Sequence, residues 1–172
     1  RGTFYNYFRT NEELLGAVII EVSNEMMRIV DPIVQQASDP AQRVSDGIRL
    51  NLALVAKIPQ LGAFLARGAL TMPNLGGNNE LVAKFLPRDL ATGIETGRFT
   101  LRDPHLAFDI VIGPLLAALL SSRLSTYDPS VLAAAILRGL GLPAAEAETV
   151  ASTPLAPLKL SPSSLLVRAV SS

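Results

Sequence analysis

Apolar residues recur every three or four positions along most of the chain, the spacing of a helix with one buried face. The clearest stripe runs through Leu15, Val18, Val22, Met26, Ile29, Val30 and Val34. It follows Thr10-Asn11-Glu12-Glu13, a capping box in which the Thr10 side chain accepts a hydrogen bond from the Glu13 backbone N–H. The pattern predicts a long amphipathic helix, which Asp31-Pro32 should bend or restart because proline removes a backbone donor.

Three Asp-Pro pairs mark further helix starts, with aspartate as the N-cap and proline at the first helical position. Asp39-Pro40 predicts a helix to about residue 58, Asp103-Pro104 one over 106–124, and Asp128-Pro129 one over 131–140. Further helices are predicted at 59–70, at 80–95 with a kink at Pro87, and at 144–151, with a loop at 71–78. No segment alternates with a period of two, so we predict an all-α chain of about seven helices.

Composition places the chain among globular domains. Of its 172 residues, 49% are hydrophobic and 17% are charged, which excludes intrinsic disorder and predicts that a partner covers part of an unusually apolar surface. Its 15 basic and 15 acidic residues give no basic excess for binding nucleic acid, and it has no cysteine. The longest apolar run, at 110–120, is too short to span a membrane, and no signal peptide is visible, so we expect a cytoplasmic protein.

The first fifteen residues carry the most specific motif. Gly2-Thr3-Phe4-Tyr5-Asn6-Tyr7-Phe8, followed by Thr10-Asn11-Glu12-Glu13-Leu14-Leu15, resembles the end of the DNA-binding motif of TetR-family transcriptional regulators. In that family such a stretch forms the recognition helix of a helix-turn-helix, and a capped helix then leads into a ligand-binding domain. The alternative is an aromatic-rich helix that packs in a core.

The resemblance implies specific roles for the residues in this motif. Thr3, Tyr5 and Tyr7 would lie along the DNA, with Arg9 and Asn11 beside the phosphates. Asn11 stands where the family commonly has lysine. Roughly forty residues that complete the helix-turn-helix would precede Arg1. The chain would then divide into a helix-turn-helix remnant at 1–9, a helical ligand-binding and dimerisation domain at 10–151, and a Ser/Pro-rich extended tail at 152–172.

Enzymatic chemistry finds little support in the sequence. His105 is the only histidine and lies in the first turn of a predicted helix, where the helix dipole disfavours a protonated imidazole. The sequence contains neither a His-rich metal motif nor a GxGxxG phosphate-binding loop. We therefore predict no enzyme activity, no metal and no cofactor.

A ligand pocket is predicted where isolated polar or adaptable side chains interrupt apolar helices. The candidates are Met26, Met27, Asn51, Phe64, Arg67, Met72, Phe85 and Asp109. For the apolar members the alternative is ordinary core packing. Arg67 and Asp109 could instead pair with each other, line the pocket or lie on the surface.

A homodimer is predicted from the two most apolar helices, at 106–124 and 131–140. The interface candidates are Ile112, Leu116, Leu119, Leu120, Leu132 and Ile136. The alternative is that both helices are buried inside one subunit.

By resemblance, the protein is a transcriptional regulator, a repressor, that binds operator DNA as a homodimer. Its operator affinity would be controlled by a small apolar or weakly acidic effector, with no membrane partner. The alternative function is a helical hydrophobe- or lipid-binding module with no role on DNA.

Overall fold

The fold is all-helical over the part of the chain that the computed structural model describes, which is residues 10–58, 61–62, 64–65, 82–121, 128–158, 164 and 166. Its helices are α1 (Asn11–Val34), α2 (Pro40–Lys57), α3 (Val82–Glu95), α4 (Pro104–Leu120), α5 (Pro129–Gly139) and α6 (Ala144–Ser152). Residues 61, 62, 64 and 65 are also helical. The predicted fold class is thus confirmed.

The predicted capping residues start four of these helices. The Thr10 side chain accepts from the Glu13 backbone N–H at 3.1 Å, as the capping box requires. Asp39, Asp103 and Asp128 cap α2, α4 and α5, each followed by proline at the start of the helix. These aspartates satisfy backbone donors that the first helical turn leaves without an intrahelical partner.

The restart predicted at Asp31-Pro32 does not occur, because α1 continues through Pro32 to Val34. The proline lies in the last turn, where its missing N–H costs one hydrogen bond, to the carbonyl of Arg28. Pro87 lies inside α3, as predicted, and Pro114 lies inside α4. Helix α4 ends at Leu120, earlier than predicted, and residues 122–127 lie outside the described part of the chain.

The core forms where α2 packs against α1, α3, α5 and α6. The largest buried cluster contains residues from each of the helices α2 through α6. Its members include Ile48, Leu90, Val111 and Leu137, together with Phe99. A second cluster joins Met26 of α1 to the end of α2. Helix α2 therefore lies at the centre of the molecule and fixes the positions of the helices around it.

Residues 153–158 follow α6 without helical structure. Arg49 of α2 donates from Nη1 to the carbonyl of Thr153 at 2.8 Å. Leu155 and Leu158 pack beside Val30, Val34 and Leu50. This part of the predicted tail consequently contributes to the core. Leu166 is also buried, with 4% of its surface exposed.

The two most apolar helices are only partly buried within one subunit. Ile136 of α5, a predicted interface residue, is 2% exposed and lies in the main core of the single subunit. Leu106 and Val131 are 47% and 66% exposed, and Gly113, Ala117 and Ala135 are exposed as well.

Candidate ligand-binding site

A cavity of about 240 Å³ lies between α1, α2, α3 and α4. Its walls are mostly aliphatic, aromatic and methionine side chains. Those from α1 and α2 include Ile19, Met26, Met27, Val30, Val44, Ile48 and Val55; those from α3 and α4 include Phe85, Leu86, Phe108, Ile112, Leu115, Leu116 and Leu119. The site therefore has the apolar lining that is typical of pockets for small organic molecules.

Helical periodicity explains why these side chains meet. On α1, α2 and α4 the lining residues recur every three or four positions, several of them as adjacent pairs. Gly47 of α2 also faces the cavity, and its missing side chain leaves space there. The same stripes that predict amphipathic helices thus surround the cavity.

One end of the cavity is polar because α1, α2 and α3 bring charged side chains together. We call Asp31, Gln35, Arg43, Arg88 and Asp89 the polar cluster. Asp89 is only 4% exposed and accepts from Arg43 Nη1 at 3.3 Å and from Arg88 Nε at 3.2 Å. Asp31 accepts from Arg88 Nη2 at 2.9 Å. Asp31, Arg43 and Asp89 line the cavity itself.

The formal charges of the polar cluster cancel, with two carboxylates against two guanidinium groups. Burial opposes the charge of Arg88, but its hydrogen bonds to Asp89 and Asp31 outweigh burial and raise the pKa of that guanidinium. Arg88 is therefore a cation at neutral pH. Gln35 Nε2 adds hydrogen bonds to Asp31 at 3.4 Å and to Asp89 at 3.5 Å.

The polar cluster is attached to the aromatic wall through Arg88. Its guanidinium carbon lies 5.2 Å from the centre of the Phe85 ring, within the range of a cation–π interaction. Phe85 lines the cavity. A ring bound in the cavity would thus lie close to an aromatic surface and to the hydrogen-bonding groups of the polar cluster.

A pair of uncharged polar residues lines the cavity further along α1 and α2. Asn51 is half-buried and donates from Nδ2 to the carbonyl of Gly47 at 2.8 Å. Ser23 on α1 is also half-buried. The cavity therefore has polar groups at two places along its length.

The predicted ligand-binding residues divide into three groups. Met26, Met27, Asn51 and Phe85 line the cavity. Phe64 is half-buried and Asp109 is exposed on α4, and neither lines the cavity. Arg67 and Met72 lie outside the described residues. The sequence singles out the aspartate because it interrupts an apolar helix, but α4 is not covered by protein on that side.

Sequence reasoning missed the polar cluster. Its five residues come from three helices, and their meeting depends on how α1, α2 and α3 pack. The available signal was an aspartate within the apolar stripe of α1, since Asp31 lies between Val30 and Val34. Two adjacent charges after Pro87, at Arg88 and Asp89, were a second signal.

The predicted interface residues on α4 have a different environment from that expected. Ile112, Leu116 and Leu119 line the cavity, and Leu132 of α5 is half-buried against the main core. The side chain of Leu120 lies outside the described residues. The exposed residues of α4 and α5, which we call the exposed hairpin face, include Leu106, Gly113, Ala117, Val131 and Ala135, and also the charged Asp109 and Arg138.

The predicted DNA-contacting residues lie almost entirely beyond the described part of the chain. Thr3, Tyr5, Tyr7 and Arg9 belong to residues 1–9, which the structure does not describe. Asn11 is exposed as the first residue of α1. The helix that follows the motif is therefore the same helix that lines the cavity.

The described residues offer neither a metal site nor a membrane-spanning helix. No group of three or more His, Cys, Asp or Glu side chains there has an arrangement that could hold a metal ion. No described helix combines the length and apolar character needed to cross a bilayer.

Comparisons with known proteins agree with this architecture. A family model described as the tetracyclin repressor-like C-terminal domain matches residues 39–153. The crystal structure of RolR in complex with the ligand resorcinol has 33% sequence identity and a TM-score of 0.77, covering 92% of this chain and 79% of RolR. RolR without ligand, also 33% identical, has a TM-score of 0.79 and covers 92% and 82%. A search of curated proteins gives no significant match.

Proposed function

We propose, from the premise that this chain belongs to the TetR family of ligand-responsive transcriptional regulators, that its cavity binds the effector that controls its affinity for operator DNA. Members of this family are transcription factors and not enzymes. The observation that carries the proposal is the apolar cavity between α1 and α4, which has a charge-balanced polar cluster at one end.

The effector class follows from the lining of the cavity. Apolar walls and Phe85 favour a flat apolar ring, while Asp31 and Asp89 offer acceptors and Arg43 offers donors. Since the charges of the polar cluster already cancel, an anionic effector would add an unbalanced charge to a partly buried site. We therefore propose a neutral hydroxylated aromatic molecule. The binding of resorcinol by RolR, which is 33% identical, supports this class.

The volume of the cavity is compatible with such a molecule. An engineered apolar cavity of roughly 150 Å³ binds benzene. At about 240 Å³, the present cavity has room for a ring and additional substituents. The methionines in its wall can adjust to the shape of the molecule because their side chains are unbranched and flexible.

Helix α1 supplies the route from effector to DNA in this proposal. It begins directly after the segment that resembles a recognition helix, and its residues 19–34 line the cavity. An effector that binds one setting of α1 more tightly than another shifts the population toward that setting. By linkage, the effector changes operator affinity by the same factor as operator binding changes effector affinity. We propose that effector binding releases the operator, as in a repressor.

The operator-bound unit in this proposal is a homodimer. Leu106 and Val131 are large apolar residues that remain exposed on α4 and α5. Gly113, Ala117 and Ala135 on the same hairpin are small, so the helices of two copies can approach closely. Two such hairpins related by a two-fold axis form a four-helix bundle.

The test uses protein expressed from its complete coding sequence and DNA from its own promoter region. We expect a gel-shift complex that simple dihydroxybenzenes dissociate. Asp89→Asn should still bind the DNA but should need at least tenfold more ligand for release, because a neutral amide cannot hold both arginines as a carboxylate does. Glu148→Gln, which removes an exposed carboxylate on α6 outside both the cavity and the exposed face of α4 and α5, is the matched control.

Two outcomes would contradict the proposal. If no sequence-specific DNA complex forms, the operator role is wrong. If the Asp89 variant responds to ligand like the unmodified protein and the Glu148 control, the effector does not bind at the polar cluster.

A further inference from the structure

Away from the polar cluster the cavity has further hydrogen-bonding groups at Ser23 and Asn51, one turn before its apolar limit at Ile19 and Val55. Ser23 precedes Asp31 by eight residues on α1, and Asn51 follows Arg43 by eight residues on α2. The two helices are joined by a short connection and pack against each other, so they run in opposite directions. Ser23 and Asn51 therefore lie on the same side of the polar cluster, facing each other across the cavity.

The distance between the two polar ends can be obtained from helix geometry. Eight residues at 1.5 Å per residue separate Ser23 from Asp31, and Arg43 from Asn51, by about 12 Å. Met26, Met27, Val30 and Ile48 form the apolar wall between them. A single benzene ring cannot reach both ends.

Asn51 is held in position with one acceptor left unused. Its Nδ2 donates to the carbonyl of Gly47, one turn earlier on α2, which fixes the plane of the amide. Among the described residues no donor pairs with its Oδ1, nor does any partner pair with the Ser23 hydroxyl. A half-buried polar atom facing an apolar cavity loses free energy unless a ligand or water provides a partner.

We infer that the effector is an elongated molecule with two polar ends: a hydroxylated ring at the polar cluster, and about 8–12 Å away a second hydrogen-bond donor, such as a hydroxyl or amide, that binds Asn51 Oδ1. The apolar part of the molecule between these ends lies against Met26 and Met27. This inference rests on the proposed function, since it assumes that the effector occupies this cavity. It predicts tighter binding of molecules that carry a second polar end, a preference that contacts with the polar cluster alone would not produce.

Three probes separate the contributions of the two ends. They are resorcinol, resorcinol with a five-carbon chain at its 5-position ending in a methyl group, and the same molecule with the chain ending in a hydroxyl. Isothermal titration calorimetry measures each Kd for the unmodified protein, Asn51→Leu and Ser23→Ala. The leucine side chain is similar in size to asparagine and removes the acceptor.

We expect Asn51→Leu to weaken binding of the hydroxyl-ended probe by about three- to tenfold, the usual effect of one hydrogen bond. The same change should leave resorcinol unaffected, and should leave the methyl-ended probe unaffected or bound more tightly. Ser23→Ala should weaken the hydroxyl-ended probe by a smaller factor. Because Ser23→Ala removes one oxygen atom from a half-buried site, it preserves the test if Asn51→Leu does not fold.

The possible failures have different meanings. If all three probes bind but the Asn51 and Ser23 variants affect both chain-bearing probes equally or not at all, the second polar subsite is wrong and the proposed effector cavity stands. If none of the three probes binds to any variant, the proposed effector class is wrong, and this inference fails with it.

Discussion

At the scale of single residues, the contact between Gly93 and Phe99 shows how the sequence constrains the core. Phe99 is 1% exposed and lies across α3 at Gly93, and its backbone N–H donates to the Gly93 carbonyl at 2.9 Å. A Cβ atom at position 93 would overlap the Phe99 ring. Glycine is needed in this helix because the ring occupies the place of a side chain.

Gly93→Ala should therefore destabilise the protein although alanine favours helix formation. We expect the free energy of unfolding to fall by about 1–3 kcal/mol, the usual cost of overpacking a core. Gly47→Ala is the control, because its Cβ would lie 3.9 Å from Val34 Cγ2, an ordinary contact distance. That variant should gain up to about 1 kcal/mol from helix propensity. Equal midpoints for the two variants in urea unfolding would refute the steric explanation.

At the scale of helices, Arg98 connects three elements. It follows α3 and donates from Nε and Nη2 to the two carboxylate oxygens of Asp39, both at 2.8 Å, and from Nη1 to Glu146 of α6 at 2.6 Å. Asp39 is also the N-cap of α2, where it accepts from the Ala41 backbone N–H. One guanidinium thus holds the start of α2 against α3 and α6.

The Arg98 contact should make stability depend on acid pH. The hydrogen bonds from Arg98 outweigh burial and lower the pKa of Asp39 below its ordinary value of 3.8. The stabilisation is therefore complete above pH 3.8 and is lost as pH falls through the lowered pKa. Arg98→Gln should cost on the order of 1 kcal/mol at neutral pH, since both partners remain partly exposed, and progressively less below pH 3.8.

Chemical denaturation at several pH values measures this difference. Arg28→Gln is the matched control, because Arg28 pairs with Glu21 and Glu25 on the solvent-exposed side of α1. This substitution should leave stability unchanged. A difference between the Arg98 variant and the unmodified protein that stays constant down to pH 2 would show that Asp39 is not the relevant partner.

The helices could be predicted from sequence because their determinants are local. The Asp-Pro starts at Asp39, Asp103 and Asp128 and the capping box at Thr10 act within one turn, so spacing alone identifies them. Side-chain environment could not be predicted equally well, because it depends on packing between distant helices. Ile136 and Asp109 illustrate this limit, since periodicity cannot specify which side of an apolar helix another helix will cover.

At the scale of the whole molecule, the proposed homodimer forms through the exposed hairpin face of α4 and α5. The cavity already accounts for Leu116, so a charge there would disturb effector binding as well as assembly. Ala117 is exposed on the opposite side of α4. A substitution at Ala117 therefore tests assembly without changing the lining of the cavity.

Ala117→Glu should convert the homodimer to a monomer while leaving each subunit folded. The new carboxylate would be desolvated at the centre of a close helix contact, which disfavours association. Ala145→Glu, an equally exposed helical position on α6, should remain a dimer. Sedimentation velocity at tens of micromolar distinguishes the two. A dimeric Ala117 variant, or a monomeric unmodified protein, would contradict the proposed assembly.

The cavity also determines how the protein responds to hydrostatic pressure. The part of this apolar cavity that water does not fill is lost on unfolding, so the unfolded chain and its solvent occupy less volume than the native state with an empty cavity. Compression consequently favours unfolding of the empty protein. A bound molecule removes the void and with it much of this volume difference. Resistance to pressure would then increase with occupancy, and the pressure needed for half-unfolding would report on the ligand without DNA or a label.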